Sequence, residues 1–218
     1  MKPYRTVSLL ILLMGLAACV PAQVQSVETD AAGEMQANDQ TVMYHVSPAY
    51  FQNAPNCVII SPMDNKNPTE LSRFVESTVA RQLTGKIDRV ISPLSRDRIA
   101  REQGYDLKVP EDLKTFARSQ RCGFHLTITL QGSGDQFAVI WSDKRVGAKL
   151  ELRKTSNDEV LWRGAHVARR GDGGIPLSPL SIFANTAKAV SFNTNEGLAY
   201  SIANDAVRRI LTTLPDIR

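Results

Sequence analysis

The sequence predicts an α+β fold: a two-layer sandwich in which a mixed sheet packs against helices on one face. Three observations predict it. Short β-branched runs alternate with helix signals in the first half, polar and apolar residues alternate from Phe124 onward, and the last segment has apolar residues four apart. The first pattern is typical of parallel crossovers, the second of antiparallel strands and the third of a helix.

The first half is interpreted as two strand–helix–strand crossovers. Val58–Ile60 is a β-branched run bounded by prolines, as in a buried strand. Asn67, Pro68 and Glu70 predict the start of a helix that ends at Gly85, since they provide a cap, a first-turn proline and an acidic partner. Right-handed crossovers then place the helices on one face of the sheet. The following elements are a strand at Val90–Ile91 and helices at Ser95–Gln103 and from Pro110.

The alternation that begins at Phe124 predicts a meander of four strands. Turns are expected at 132–135, 143–145 and 156–158, where small and polar residues cluster. A last helix is expected from about Thr194. The sheet face opposite the helices is expected to be wet, and it would carry His125, Thr127, Lys149 and Glu151.

The N-terminus has the pattern of an export signal. Lys2 and Arg5 precede an apolar run, Val7–Leu13, that is too short to span a bilayer. Leu16–Cys19 then resembles the lipobox of bacterial lipoproteins, which implies cleavage between Ala18 and Cys19 and a lipid on the Cys19 sulfur. An ordinary signal peptide with an incidental cysteine is the alternative. The expected organisation is a signal peptide over 1–18, a disordered tether over 19–40 and a single periplasmic α+β domain over 41–218.

This resemblance implies a location for the domain. A cysteine with two or more acyl chains is a stable membrane anchor. Val20 follows Cys19, whereas an aspartate there retains lipoproteins at the inner membrane of enteric bacteria. We therefore expect attachment to the outer membrane through the lipid on Cys19, with the domain facing the periplasm.

The charge of the chain is nearly balanced. Its formal net charge is +4 at pH 7, and removal of Lys2 and Arg5 lowers it to +2. Such a weak charge argues against nucleic acid as a partner. The basic cluster Arg96/Arg98/Arg101 is interpreted as solvated surface, or alternatively as a contact with anionic head groups or peptidoglycan.

Two cysteines remain if Cys19 carries lipid. Cys57 and Cys122 each precede a predicted strand, and parallel neighbouring strands would place both at the same sheet edge. An even pair in an oxidising compartment favours a disulfide. Two free thiols are the alternative.

The sequence contains no motif for catalysis, a cofactor or a metal. His45, His125 and His166 are too far apart in the chain for a local metal motif. His125 and His166 are expected on one sheet face, as surface residues. We therefore predict no catalytic residue, cofactor or metal ligand, and a protein that is not an enzyme.

The segment Gly171–Phe192 is a candidate interaction segment, since long connections of this kind are usually functional or disordered. Its apolar side would pack on its own domain, on a partner or second copy, or on the membrane. The residues of that side are Leu180, Phe183, Ala187 and Val190.

The order of elements after the tether completes a resemblance. Cys57–Met63, the capped helix, a short strand and the late meander are similar to lipoproteins of the curli secretion channel, lipoprotein activators of penicillin-binding proteins and the amino-terminal domain of the Tol translocation protein. That resemblance implies a module that binds envelope proteins or self-associates. We expect an adaptor or scaffold in envelope assembly or export. The alternatives are a subunit of a curli-type secretion channel and a cell-wall-active enzyme.

Overall fold

Seven strands form one mixed sheet in the computed structural model, which describes residues 23–26, 41–63, 70–137, 142–171 and 196–216. The strand order across the sheet is β1-β2-β7-β6-β5-β3-β4. The strands are β1 Gln23–Ser26, β2 Thr41–Val46, β3 Cys57–Ile60, β4 Arg89–Ile91, β5 Phe124–Phe137, β6 Ser142–Lys154 and β7 Val160–Gly171. The helices are α1 Pro48–Gln52, α2 Glu70–Leu83, α3 Pro93–Gln103, α4 Pro110–Ser119 and α5 Glu196–Leu211.

The predicted crossovers are confirmed. Strand β3 pairs in parallel with both β4 and β5, and helices lie between these strands in the chain. The side chain of Ser92 caps α3 by accepting a hydrogen bond from the Ser95 amide, and Gly104 ends it at φ 72°. No helix in the described ranges is long and apolar enough to cross a bilayer.

The predicted meander of four strands is wrong in its count. Strand β5 continues through the expected turn at 132–135, and β6 contains the expected turn at 143–145, so the described meander has three long strands. A register shift between Gln131 and Gly134 absorbs the glycines as an irregularity in the ladder. The turn after β6 lies where it was predicted.

Two strands precede the first strand that the sequence predicted. The segment before Pro55 contains β2, which pairs antiparallel with β7. Within the predicted tether, Gln23–Ser26 pairs in parallel with β2, so this part is a strand rather than disordered chain. Backbone hydrogen bonds to an existing edge require little apolar surface from the added strand, which is why hydrophobic patterning gave no signal here.

The main core lies between the sheet and helices α2 and α5, the predicted helical layer on one face. Val58, Ile60, Leu126 and Leu150 contribute to it from alternating strand positions. Helix α5 approaches Gly164 of β7 so closely that a Cβ atom added at Gly164 would lie 2.7 Å from Ile210 Cγ2. The sheet and α5 therefore pack backbone to side chain at this point.

A smaller apolar cluster lies on the other side of β3. Cys57 and Ile59 alternate with the residues that enter the main core, and they pack with Phe116 and Ala117 of α4. At the β3–β4 end, apolar residues therefore lie on both sides of the sheet.

The cluster Arg96/Arg98/Arg101 is not uniformly solvated surface. Arg96 is only 3% exposed, and its guanidinium donates to the Ile60 carbonyl at 2.6 Å and to Glu76 Oε2 at 2.9 Å. Glu76 in turn accepts a hydrogen bond from the Met63 amide. A buried charge needs such partners, so Arg96 joins α3 to α2 and β3 instead of contacting lipid or peptidoglycan.

Candidate protein-binding surface

The strands of the meander carry polar residues on the side opposite the main core. Directly paired residues share a face, and the register pairs His125 with Arg153, Thr127 with Glu151 and Thr129 with Lys149. We call this surface the polar face: His125, Thr127, Lys149, Glu151 and Arg153, with Asp158 in the adjoining turn. The predicted wet face is therefore present, although His125 is only 5% exposed.

A chain of ion pairs orders the polar face. Glu151 accepts from Lys149 Nζ at 3.0 Å and from Arg153 Nη2 at 2.7 Å. Arg153 Nη1 also donates to Asp158 Oδ2 at 2.7 Å. Cation and anion thus alternate across β6 and the following turn, and each inner charge has a partner on both sides.

These pairs shift the pKa values of their members. Burial alone would raise the pKa of Glu151, but hydrogen bonds from Arg153 and Lys149 outweigh it and hold the pKa below its usual value. Burial would lower the pKa of Arg153, and the hydrogen bond and charge of Glu151 outweigh it and raise the pKa. Both groups are therefore fully charged at neutral pH.

His125 forms the inner wall of the polar face. Its Nδ1 lies 3.3 Å from Thr155 Oγ1 and its Nε2 lies 3.6 Å from Asp158 Oδ1. Burial lowers the pKa of His125 to about 4, against an opposing effect of the Asp158 carboxylate. The imidazole is therefore neutral at pH 7, where its role is to hydrogen-bond rather than to carry charge.

A groove of about 390 Å³ lies beside the polar face. Leu107, Pro110 and Leu113 form an apolar wall, and His125 and Thr127 lie on the opposite side. Such a combination can accept an apolar side chain of a partner next to ordered charges. The described residues contain no cluster of three metal-ligating side chains.

The structure places two of the sequence-predicted site residues together. Cys57 and Cys122 form a disulfide with Cα atoms 5.3 Å apart, at the end where β3 and β5 begin. The cleavage and lipidation residues, Ala18 and Cys19, lie outside the described residues. The candidate interaction residues Leu180, Phe183, Ala187 and Val190 also lie outside them.

The expectation that His125 and His166 share a face is wrong. The register places His166 opposite Ala148, a residue of the main core, whereas His125 lies on the polar face. His166 is buried, and its Nδ1 lies 3.4 Å from the Thr41 carbonyl oxygen. Neither histidine is the surface residue that was expected, because β2 and the turn after β6 cover positions that the sequence pattern left open.

Sequence reasoning missed Arg153 and Asp158 as members of the candidate surface. Alternation places Arg153 on the same face as Glu151, so that member could have been found. Asp158 lies in a turn, at φ 59°, and the direction of its side chain depends on this left-handed backbone conformation. No periodic pattern reports such a conformation.

Comparisons with known proteins give likenesses in fold. No protein-family model matches the chain, and no curated protein sequence matches it. Among solved structures, the chain is similar to the PelC dodecamer from Paraburkholderia phytofirmans, with 18% identity and a TM-score of 0.49 over 82% of this chain and 99% of that one. It is similar to lipoprotein GNA1162 from Neisseria meningitidis, with 18% identity and a TM-score of 0.47 over 63% and 96%.

A third solved structure is a putative lipoprotein from Caulobacter crescentus, with 9% identity and a TM-score of 0.37 over 72% of this chain and 86% of that one. The solved structures to which the chain is similar thus include bacterial lipoproteins. At these identities the likeness concerns the fold alone, and no residue role is carried over.

Proposed function

We propose that this chain is a lipid-anchored, non-enzymatic adaptor of the bacterial envelope that binds another protein through its polar face. The observation that supports the proposal is the alternating row Lys149–Glu151–Arg153–Asp158, which runs along β6 into the following turn and is ordered by ion pairs. The main-core residues of β5 and β6 point to the other side of the sheet, and α4 lies beside the polar face as one wall of its groove.

The energetic argument concerns preorganisation. Long charged side chains normally lose rotamer freedom when a partner binds, at a cost of about 0.5–1.5 kcal/mol each. On the polar face this freedom is already reduced, because Glu151 holds both Lys149 and Arg153. The alternating signs select a partner with the complementary order of charges, and the adjoining groove accepts its apolar anchor.

The anchor follows from the N-terminal pattern. A lipid on Cys19 would hold the domain at the outer membrane, facing the periplasm, where a partner is also confined to the envelope. Growth with labelled palmitate tests this part: we expect label on the wild-type chain and none on Cys19→Ser. An unlabelled wild-type chain would contradict the proposed anchor, but it would not bear on the proposed binding surface.

The binding surface is tested by crosslinking in intact cells. A photoreactive amino acid replaces Thr129, an exposed position on the same face, and the matched control replaces Arg81, an exposed position on α2. We expect an adduct of defined mass from position 129, loss of that adduct on Glu151→Lys, and no adduct from position 81. Equal adducts from both positions, or none from position 129, would contradict the proposal.

A second candidate function is a self-associating subunit of a curli-type secretion channel. One observation favours it: the β5–β6 hairpin stays paired as far as Phe137 and Ser142, well beyond the predicted turn. Light scattering, which gives the number of copies, and electron microscopy, which shows the shape of the particles, separate the two candidates when applied to the lipidated chain in detergent. Ring-shaped particles of many copies would support the channel subunit, whereas a monomer would support the adaptor.

A further inference from the structure

A second groove lies at the end of the sheet where β5 begins, next to the groove of the polar face, with which it shares Lys114 and Thr155. Its volume is about 530 Å³, and it runs between the C-terminal part of α4 and the end of β6. Ala117, Cys122 and Phe124 give it an apolar lining. We call it the basic groove, because its remaining long side chains are Lys114, Arg118, Arg121 and Lys154.

The basic groove is strongly biased in charge. Four cations line it and no acidic residue does. Lys114, Arg118 and Arg121 lie on one wall and Lys154 on the other. Some surface cations elsewhere pair with carboxylates, as Arg98 does with Glu102 and Arg208 with Asp205. Within the described part of the chain, none of the four groove cations has such an ion pair.

The backbone of the groove wall is held in place by hydrogen bonds from an arginine side chain. The guanidinium of Arg89 donates to the carbonyl oxygens of Gln120 and Arg121, each at 2.7 Å. Arg121 itself has φ 49°, a conformation that is uncommon for a residue with a side chain. The disulfide joins the lining residue Cys122 to β3. A preorganised wall of this kind lowers the cost of binding.

The length of the cationic row indicates the kind of occupant. Lys114 and Arg118 lie one helical turn apart, roughly 6 Å along the axis of α4, and Arg121 lies beyond the end of the helix. One phosphate or carboxylate group is too small to reach the whole row. About two residues of an extended chain, at roughly 3.3 Å each, cover the distance from Lys114 to Arg118, and further residues would reach Arg121. The apolar lining in turn provides room for an uncharged side chain between the carboxylates.

We propose that the basic groove binds an extended acidic peptide segment of a partner protein, with carboxylates on Lys114, Arg118, Arg121 and Lys154 and one apolar side chain on the lining. The basic groove shares Lys114 and Thr155 with the groove beside the polar face, but the proposal does not depend on the ion pairs of that face. Binding of this kind is strongest at low ionic strength, because screening by salt weakens exposed charge pairs.

Fluorescence anisotropy with the full mature chain in detergent tests the proposal. The probe is a labelled peptide of about nine residues, with glutamates at alternate positions and a central leucine. We expect at least tenfold weaker binding when glutamines replace the glutamates. We also expect at least a tenfold loss for Lys114→Glu/Arg118→Glu, and a change of less than twofold for Arg101→Glu, an exposed control on α3.

Further arms make the result decisive. The variant Lys114→Arg/Arg118→Lys keeps the charges and should bind like wild type, and thermal melts show whether each variant is folded. Equal binding of the glutamine peptide, or full binding by the folded double charge reversal, would overturn the proposal. Binding to phosphatidylglycerol vesicles but not to the peptide would overturn it in favour of a membrane surface.

The chain's own residues 27–40 are a competing occupant, since they carry Glu28, Asp30, Glu34 and Asp39 and no basic residue. A variant in which glutamine replaces both glutamates and asparagine replaces both aspartates tests whether this segment occupies the groove. A tenfold or greater gain in peptide affinity would assign the groove to the chain's own segment and overturn the assignment to a partner. An affinity within twofold of wild type would support the partner.

Discussion

The two faces of the same three strands are held together in different ways. On the helical side, Leu126, Leu150 and Leu152 pack into a continuous apolar core with α2 and α5. On the opposite side, Glu151 and Arg153 occupy the intervening positions of β6 and are ordered by ion pairs. Near β3 that opposite side has only a small apolar cluster and a disulfide.

The difference shows how one sheet separates stability from recognition. Apolar burial is worth about 25 cal/mol per Å², whereas exposed ion pairs contribute about 0–1 kcal/mol each. Substitutions on the helical side should therefore change the free energy of unfolding, and substitutions on the polar face should mainly change binding. Four experiments, from the largest expected effect to the smallest, break or sharpen this contrast.

Removal of the disulfide should have the largest effect, because it joins segments far apart in the chain. The cysteines are 65 residues apart in the chain, and closing a loop of that length stabilises by about 4 kcal/mol in the chain-entropy model. We expect Cys57→Ala/Cys122→Ala to lose about that amount in urea unfolding. A free-thiol count on the denatured wild-type chain should find neither cysteine reactive, and two reactive thiols would contradict the disulfide.

Truncation of a side chain in the main core should have the second-largest effect on stability. Leu150 is fully buried against the helical layer, and Leu150→Ala should cost about 3 kcal/mol of unfolding free energy through lost burial and the cavity left behind. The matched control is Lys149→Ala on the adjacent, opposite-facing position, with an expected cost below about 1 kcal/mol. Similar losses for both variants would remove the contrast between the faces.

His125 predicts a pH dependence on the polar side. Its pKa is about 4 in the folded chain and 6.5 without burial, so the unfolded chain binds the extra proton between these values. Stability contributed by the neutral imidazole is therefore lost as pH falls, by about 2 kcal/mol between pH 7 and pH 5. Urea unfolding at both pH values should show this loss in wild type and a correspondingly smaller one in His125→Gln. An identical loss in both would contradict the assignment to His125.

Neutralising Glu151 should have the smallest effect on stability and a large one on binding. Glu151→Gln keeps the shape but weakens both ion pairs, and Arg153 retains Asp158. We expect a loss of about 1–2 kcal/mol in unfolding free energy, because Glu151 is mostly buried and the glutamine oxygen still accepts hydrogen bonds, with loss of the crosslinked adduct at position 129. Retention of the adduct would show that charge on the polar face does not select the partner.

Much of the fold was predictable because its signals are local. The helix over Glu70–Leu83 and the strand at Val58–Ile60 follow from spacing and bounding residues within a few turns of chain. Strand β2 was not predictable in the same way, since it forms by pairing with β7, more than a hundred residues away. The extent of β5 and β6 was likewise decided by their mutual pairing across a glycine-containing irregularity.

The two candidate surfaces differ in the same way in how far the sequence predicts them. The polar face follows from the alternation after Phe124, so most of its members could be predicted. The basic groove could not, because Lys154 joins Lys114 and Arg118 only when α4 packs beside the end of β6. Arg96 shows the same limit: its sequence neighbours Arg98 and Arg101 are exposed, and only the packing of α3 on α2 buries it.

The sequence by itself determined the class of fold and which residues of each strand share a side, because periodicity and short-range signals are properties of the chain alone. The tertiary structure alone decided which sides are covered, which cations converge and which cysteines meet. These outcomes depend on contacts between segments distant in the chain, and no local pattern specifies such contacts.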